Sequence, residues 1–281
     1  MTAIVLGGST TGLGVVRSLA PEGIHTVVID SNPRTTCFYS KQCEAIESPV
    51  ETDVGFLLSL ARRFKDAVLF PTTDAWCRAL AKHRDELGKH FLYDFLSEKQ
   101  LDRIMDRRKL YKAAKDVGVA VPKTYKKMPD RPCIIKPIDS ARFYEVFYSK
   151  GFIAEDKEGF ERYTKEAKDA GFDTVAQEII AGPETNLYTF GSYIDKEKYP
   201  AVQFIGKKLR QYPPNFGTCT LGMQTEYYPE LQKQSFKLLK HLGYSGASQV
   251  EFKRGRDGVL YLMEINPRLW LQSRLGCWCC P

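Results

Sequence analysis

Short apolar runs and glycine turns alternate with amphipathic stretches from the first residues onward. Residues 4–14, Ile-Val-Leu-Gly-Gly-Ser-Thr-Thr-Gly-Leu-Gly, predict a strand entering a glycine turn, then a helix with Leu13, Val16 and Leu19 on one side. A second strand over 26–30 ends on Asp30, which gives the βαβ rhythm of a parallel sheet. Residues 54–64 read as an amphipathic helix. Strand 67–70 follows and opens into the loop Pro71-Thr-Thr-Asp74, at the carboxyl end where open α/β sheets place ligands. From Ser97 the pattern changes. A helix over 101–117 stops at Gly118, and Val119-Ala-Val-Pro122 is extended, as expected of a boundary between lobes. Strand 133–137, helix 156–170 and strand 174–180 come next, then strands to about 224 and a helix over 230–242. The chain closes on strands 247–253 and 260–265 around the turn Arg254-Gly-Arg-Asp-Gly258. The fold class is α/β, with a Rossmann-like parallel-sheet domain at 1–100 and an α+β domain at 101–281.

Composition narrows the chemistry. The 43% of hydrophobic residues in 281 can bury a substantial core, yet no apolar run approaches the roughly 20 residues of a membrane span. The first 20 residues enter directly into strand, turn and helix rather than a secretory signal, so the expectation is a cytoplasmic protein without membrane partners. Eight cysteines scattered through a full-sized chain read as reduced thiols. The denser Cys277-Trp-Cys-Cys280 lacks a second cluster or histidines at zinc spacing. The net charge of +7 is interspersed with acids rather than gathered in a block, which suits a site for polyphosphate and carboxylates better than nucleic acid. Gly7-Gly8 followed by Gly12 and Gly14 does not meet the dinucleotide fingerprint, and a tight turn with close helix packing explains these glycines better than the alternative of a ligand contact. Asp30, likewise, can simply end its strand.

The strongest chemical signal lies on the final hairpin. Strand alternation puts Glu264 and Asn266 on one side, and an antiparallel partner brings Glu251 opposite them. Two like charges make a poor structural pair, but two carboxylates and an amide match the hard oxygen ligands of Mg²⁺ that also holds phosphate. Either acid alone would read as a solvated surface residue. Asn266 and Arg268 at alternating positions turn the set into a site.

Gln249-Val-Glu-Phe followed by Leu262-Met-Glu-Ile-Asn-Pro-Arg268 resembles the metal-binding end of the ATP-grasp superfamily. Asp106-Arg-Arg-Lys-Leu-Tyr through Gly118-Val-Ala-Val-Pro-Lys-Thr124 resembles its opening helix and turn. Ile134-Ile-Lys-Pro137 resembles its phosphate-binding lysine strand, and Gln177-Glu-Ile-Ile-Ala-Gly-Pro-Glu184 the segment linking the two lobes that grasp adenine. Softer motifs, Gly7-Gly-Ser-Thr10, Phe70-Pro-Thr-Thr-Asp74 and Gly206-Lys-Lys-Leu-Arg-Gln-Tyr-Pro-Pro214, are similar to uncharacterised carboligases and D-aspartate ligase. The resemblance covers nearly the whole chain and implies a pre-ATP-grasp domain followed by a two-lobed ATP-grasp domain.

It also implies site residues. Arg107 stands where many members have lysine and carbamoyl phosphate synthetase has arginine, reaching the ATP phosphates, and Lys136 is the second phosphate cation. Arg107 has an alternative as one of several solvated helix cations; Lys136, on an otherwise apolar strand, calls for an anion. Gln177, Glu178, Ile179 and Ile180 would offer backbone groups to adenine, and Glu184 would hold the ribose. Glu251, Glu264 and Asn266 would hold Mg²⁺, or Mn²⁺, with Arg268 and Lys136 catalytic. Lys207, Lys208 and Arg210 form either a cationic rim for an acidic substrate or a solvated strand face. The stretch after Lys136 lacks the glycine-rich loop of many members, so closure would fall to Arg142 or Lys150. The sequence stops at Pro281, soon after the metal motif, where related carboligases continue; on that reading the substrate side would be incomplete.

The implied activity is an ADP-forming ligation of a small carboxylate to an amine through an acyl phosphate, with an acidic amino acid as one partner and a homodimer as a compatible assembly. Its rivals are an inactive or regulatory ATP-binding remnant, a carboxylase or carbamoyl phosphate synthetase-like member, and, more distantly, a nicotinamide-dependent enzyme.

Overall fold

The computed structural model describes residues 1–274 apart from positions 95, 139, 140 and 215, and the backbone alone of residue 141. The Cys277, Cys279 and Cys280 cluster lies outside the described residues.

The first third is the expected parallel sheet. Strands β1 (Thr2–Leu6), β2 (His25–Asp30), β3 (Glu44–Glu47), β4 (Ala67–Pro71) and β5 (Phe91–Leu92) lie in the order β3-β2-β1-β4-β5, all parallel. Helix α1 (Thr10–Leu19) joins the first two strands, and α2 (Val54–Ser59), α3 (Asp74–Lys82) and α4 (Arg84–Leu87) follow in the later crossovers. Ile4, Val5 and Leu6 are fully buried, as in a parallel strand covered on both faces. The glycine turn is structural: Gly7 has φ +103°, and a Cβ at Gly12 would collide with the Gly7 carbonyl. Asp30 accepts the Gly8 amide at 2.6 Å and so holds the turn in place. Helix α2 is shorter than its amphipathic pattern because the chain tightens into turns after Ser59.

The expected single helix over 101–117 is two. Helices α5 (Glu98–Met105) and α6 (Arg107–Asp116) are separated by Asp106, whose backbone is extended and whose carboxylate caps the Arg108 and Lys109 amides. An aspartate offered to free helix amides competes with continuing the helix. A small antiparallel sheet follows, built from β6 (Thr124–Tyr125), β7 (Cys133–Pro137), β8 (Phe152–Ala154) and β9 (Thr174–Glu178) in the order β6-β9-β7-β8. Helices α7 (Ala141–Phe147) and α8 (Lys157–Asp169) lie between its strands in sequence. The third sheet is antiparallel and larger. It contains β10 (Leu187–Ile194), β11 (Pro200–Tyr212), β12 (Thr218–Gln224), β13 (Gly246–Arg254) and β14 (Leu260–Asn266), ordered β12-β11-β10-β13-β14, with α9 (Pro229–His241) between β12 and β13 in sequence.

Alternation on this third sheet decides where the site can be. Phe190, Val250 and Phe252 enter a core with Leu101, Leu110 and Leu238 from α5, α6 and α9. Thr189, Gln249 and Glu251 therefore face the other way. On that second face Trp270 lies over Gly191 so closely that any Cβ there would collide with the indole. Gly191→Ala should cost about 1–3 kcal/mol through overpacking. Urea unfolding should show a lower midpoint at unchanged slope. Among the described residues, no helix is long and apolar enough to cross a membrane.

Candidate active site

The carboxylates meet where β13 and β14 pair. Glu251 is opposite Glu264 and Gln249 opposite Asn266, as alternation requires. Immediately beyond, the register slips between Glu251 and Phe252, leaving Met263 without a cross-strand partner. Its carbonyl accepts Arg107 Nη1 at 2.9 Å and the Tyr111 hydroxyl at 3.4 Å. The irregularity thus ties the first turn of α6 to the edge strand, and brings Arg107 Nη2 to 3.8 Å from Glu264 Oε2.

A polar chain orients Glu251 and Asn266. Lys208 Nζ donates to Glu251 Oε2 at 2.8 Å, and Gln249 Nε2 donates to Glu251 Oε1 at 3.0 Å. Asn266 Nδ2 donates to Gln249 Oε1 at 2.9 Å, which turns the Asn266 amide oxygen away from that contact. Lys208 and Glu251 are both about nine-tenths buried. Of the three cations Lys207, Lys208 and Arg210, this pairing puts Lys208 in the carboxylate cluster, strand alternation separates it from Lys207, and Arg210 is exposed beyond a break in the β11–β12 register.

Electrostatics bind the cluster together. Burial would raise the Glu264 carboxyl, but Arg107, then Lys150, Lys136 and Lys208, outweigh it and hold the group well below the usual carboxylate range. Lys136 moves the other way: burial, then the neighbouring Arg107, lowers its ammonium to about 7. Four cations thus surround two carboxylates, a positive surplus in one cleft that favours a polyanion. Two deep polar atoms support this, since Arg107 Nε and Gln177 Nε2 are buried without a hydrogen-bond partner. A bound polyphosphate would favour the charged form of Lys136. Its binding should therefore take up close to one proton at pH 8 and almost none at pH 6, and its affinity should fall as pH rises through about 7. Calorimetry in buffers of different protonation enthalpy measures this, and Lys136→Met should abolish the uptake.

Lys150, not Arg142, meets the segment that faces Lys136. Lys150 Nζ donates to the Gly217 carbonyl at 3.3 Å and Lys136 Nζ lies 5.9 Å from the Phe216 ring, whereas Arg142 lies over Phe172. In the linking segment the strand ladder ends at Glu178, two residues earlier than expected. The Glu178 amide is taken by the Lys123 carbonyl at 2.8 Å and its carboxylate faces Arg131 at 3.7 Å. Ile179 and Ile180 lie beyond the ladder. Gln177 is fully buried and receives the Tyr111 hydroxyl at 3.2 Å, so its side chain joins the lobe to α6. Glu184 Oε2 accepts the Gln211 amide at 3.0 Å.

Arg268 stands at the margin of the cluster, with Nε 2.6 Å from Asp74 Oδ1. Asp74 begins α3, so the loop after β4 is joined to the carboxylate hairpin across 194 residues of sequence. Sequence reasoning pointed to that loop without finding its partner. It also missed Tyr111 and Gln249, although Gln249 alternates with Glu251 and was accessible to the same argument. Among the described residues, no group of three or more His, Cys, Asp and Glu is placed to hold a metal. The oxygen set is two carboxylates and an amide, which suits a hard cation completed by phosphate and water.

Residues 219–277 match the family described as carbamoyl-phosphate synthase L chain, ATP binding domain. A search of curated protein sequences found no match. Solved structures align over almost the whole chain. A biotin carboxylase from Campylobacter jejuni in a β-γ-ATP complex has 14% identity and a TM-score of 0.73, over 98% of this chain and 67% of its own. The biotin carboxylase domain of Hydrogenobacter thermophilus 2-oxoglutarate carboxylase, a dimer with MgADP, ADP and bicarbonate, has 16% identity and a TM-score of 0.74, over 98% and 68%. An L-amino acid ligase from Bacillus licheniformis has 14% identity and a TM-score of 0.68, over 95% and 66%. The chain spans about two thirds of the length of these proteins.

Proposed function

We propose that this chain is an ADP-forming ligase of the ATP-grasp superfamily that uses MgATP to join a small carboxylate to an amine. The observation that carries the reading is the cleft in which Arg107, Lys136, Lys150 and Lys208 surround Glu251 and Glu264. Its solved neighbours include an L-amino acid ligase. We place the division between the N-terminal parallel-sheet domain and the ATP-grasp domain near residue 100.

MgATP supplies the γ-phosphoryl group that turns the substrate carboxylate into an acyl phosphate, releasing ADP, and the amine then displaces phosphate to give the amide. The chain's own residues do the positioning. Glu251, Glu264 and the Asn266 amide oxygen hold Mg²⁺, and Mn²⁺ meets the same donors. Arg107 and Lys136 bind the phosphates and balance the charge of transfer. Arg268, fixed by Asp74, orients the attacking carboxylate. Lys150 and the Phe216–Gly217 segment close the cleft and exclude water. The backbone of residues 177–180 receives adenine, with Ile180 offering the amide that Glu178 cannot, and Glu184 receives the ribose. No side-chain nucleophile is required. The proposal places the reaction in the cytoplasm and includes self-association, which sedimentation velocity tests.

An acidic amino acid as the carboxylate drew on the cationic rim. With Lys208 bound to Glu251 and the other two cations apart from it, that assignment rests on Arg268 alone. A carboxylase is the second reading, favoured by the carbamoyl-phosphate synthase match over 219–277 and by the carboxylases among the solved neighbours. The two separate in one assay, ADP release with MgATP across carboxylate and amine pairs and with bicarbonate, followed by mass spectrometry of the products. ADP release that requires both a carboxylate and an amine is the expected result. Release with bicarbonate alone supports the carboxylase, and no release together with no MgATP binding removes both.

A further inference from the structure

The phosphate cluster leaves a large cavity beside it unused, about 680 Å³ in volume. Strand register fixes the relation between the two. Across β11, β10 and β13, one row is Gly206, Thr189 and Glu251; the next is Phe204, Gly191 and Gln249; the one after is Val202, Tyr193 and Ala247. The carboxylates belong to the first row, and the cavity opens over the second and third on the same face. Its floor is Trp270 lying on Gly191, and its far wall comes from the parallel sheet through Phe70 and Leu92. Phe204 and Trp270 are buried, whereas Val202 and Leu92 are about half exposed at 44% and 52%.

Among the described residues, charged side chains line it only at the two ends. Arg268 is in the wall nearest the carboxylates. Of its five N–H donors the contacts to Asp74 and the Leu269 carbonyl use two, which leaves others for an anion. Asp94 and Lys196, of opposite sign, lie at the other end and favour neither charge. Between them the walls are mainly hydrocarbon and aromatic ring, with Ser192 and Ser273 among the lining residues and Trp270 Nε1 buried without a hydrogen-bond partner. A second carboxylate there would be desolvated without a charged partner, a cost that a hydrophobic group avoids. The volume suits a small molecule rather than a single side chain.

We infer that this cavity receives the apolar body of the carboxylate substrate, with its carboxylate held at Arg268 beside Glu264. The substrate class is a monocarboxylate bearing an aryl or branched alkyl group, not an acidic amino acid. The inference rests on the ligase reading for its chemistry, but the cavity can be tested without turnover.

The probe is 3-phenylpropionate, with L-aspartate as its counterpart, titrated by ligand-observed NMR against the full chain with and without Mg²⁺ and a non-hydrolysable ATP analogue. Phenylpropionate should bind and aspartate should not. Val202→Glu and Leu92→Glu, from opposite walls, should each weaken phenylpropionate by about 10-fold or more, the scale of discrimination in apolar pockets. The analogue's affinity should change less than two-fold, Val202→Leu should restore phenylpropionate binding, and thermal melts identify any variant that has lost its fold. Preferential aspartate binding, or phenylpropionate binding untouched by both charged variants, overturns the inference. Failure of the analogue to bind while phenylpropionate behaves as expected overturns the ATP reading and leaves the cavity's assignment standing.

Discussion

Glu264→Gln is expected to lower Mg²⁺-dependent ADP formation by at least about 100-fold, because loss of a group that merely supports a metal ligand already costs 10–100-fold. The change keeps shape and removes charge. It also removes the anion that Arg107, Lys150, Lys136 and Lys208 share, so the cleft becomes more positive. Metal-free nucleotide should therefore bind as well as before, or more tightly, while the dependence on Mg²⁺ disappears. Initial rates over a Mg²⁺ titration, paired with calorimetry in chelator, separate these effects. Wild-type turnover, or an equal loss of metal-free binding, would remove Glu264 from the metal site.

Lys136→Ala should weaken nucleotide binding by about 1.5–3 kcal/mol, the range for hydrogen bonds to charged groups, or roughly 10- to 150-fold in dissociation constant. Because the ammonium is lowered to about 7 by burial and by Arg107, the loss should be largest below pH 7. There the wild-type lysine is already charged, and above pH 7 the wild type must first acquire a proton. A loss that is constant between pH 6 and 8.5 would show that Lys136 acts through packing rather than charge. Unchanged affinity would move the phosphate site elsewhere.

The amino-acid pattern alone determined the parts of this protein that local periodicity controls. The strand at 133–137 and the helix at 156–170 stand where they were expected to within a residue at each end. The βαβ start follows from apolar runs and glycine turns, and the Glu251, Glu264 and Asn266 cluster follows from the two-residue period of a strand. Asp106 breaking one helix into two was legible in principle, since a capping aspartate is a local signal, but it competed with an unbroken amphipathic pattern. What lay beyond the sequence are the relations set by register slips and by contacts between distant elements. The irregularity at Met263 decides that Arg107 reaches Glu264, and the β11 alternation gives Lys208 to Glu251 while parting it from Lys207. The Asp74 to Arg268 pair joins elements 194 residues apart. The cavity between Trp270, Phe70 and Leu92 has no sequence signature, because its walls come from two sheets whose packing depends on the fit of whole surfaces. Periodicity reports which face a side chain occupies; only the packing of one sheet against another decides what that face meets.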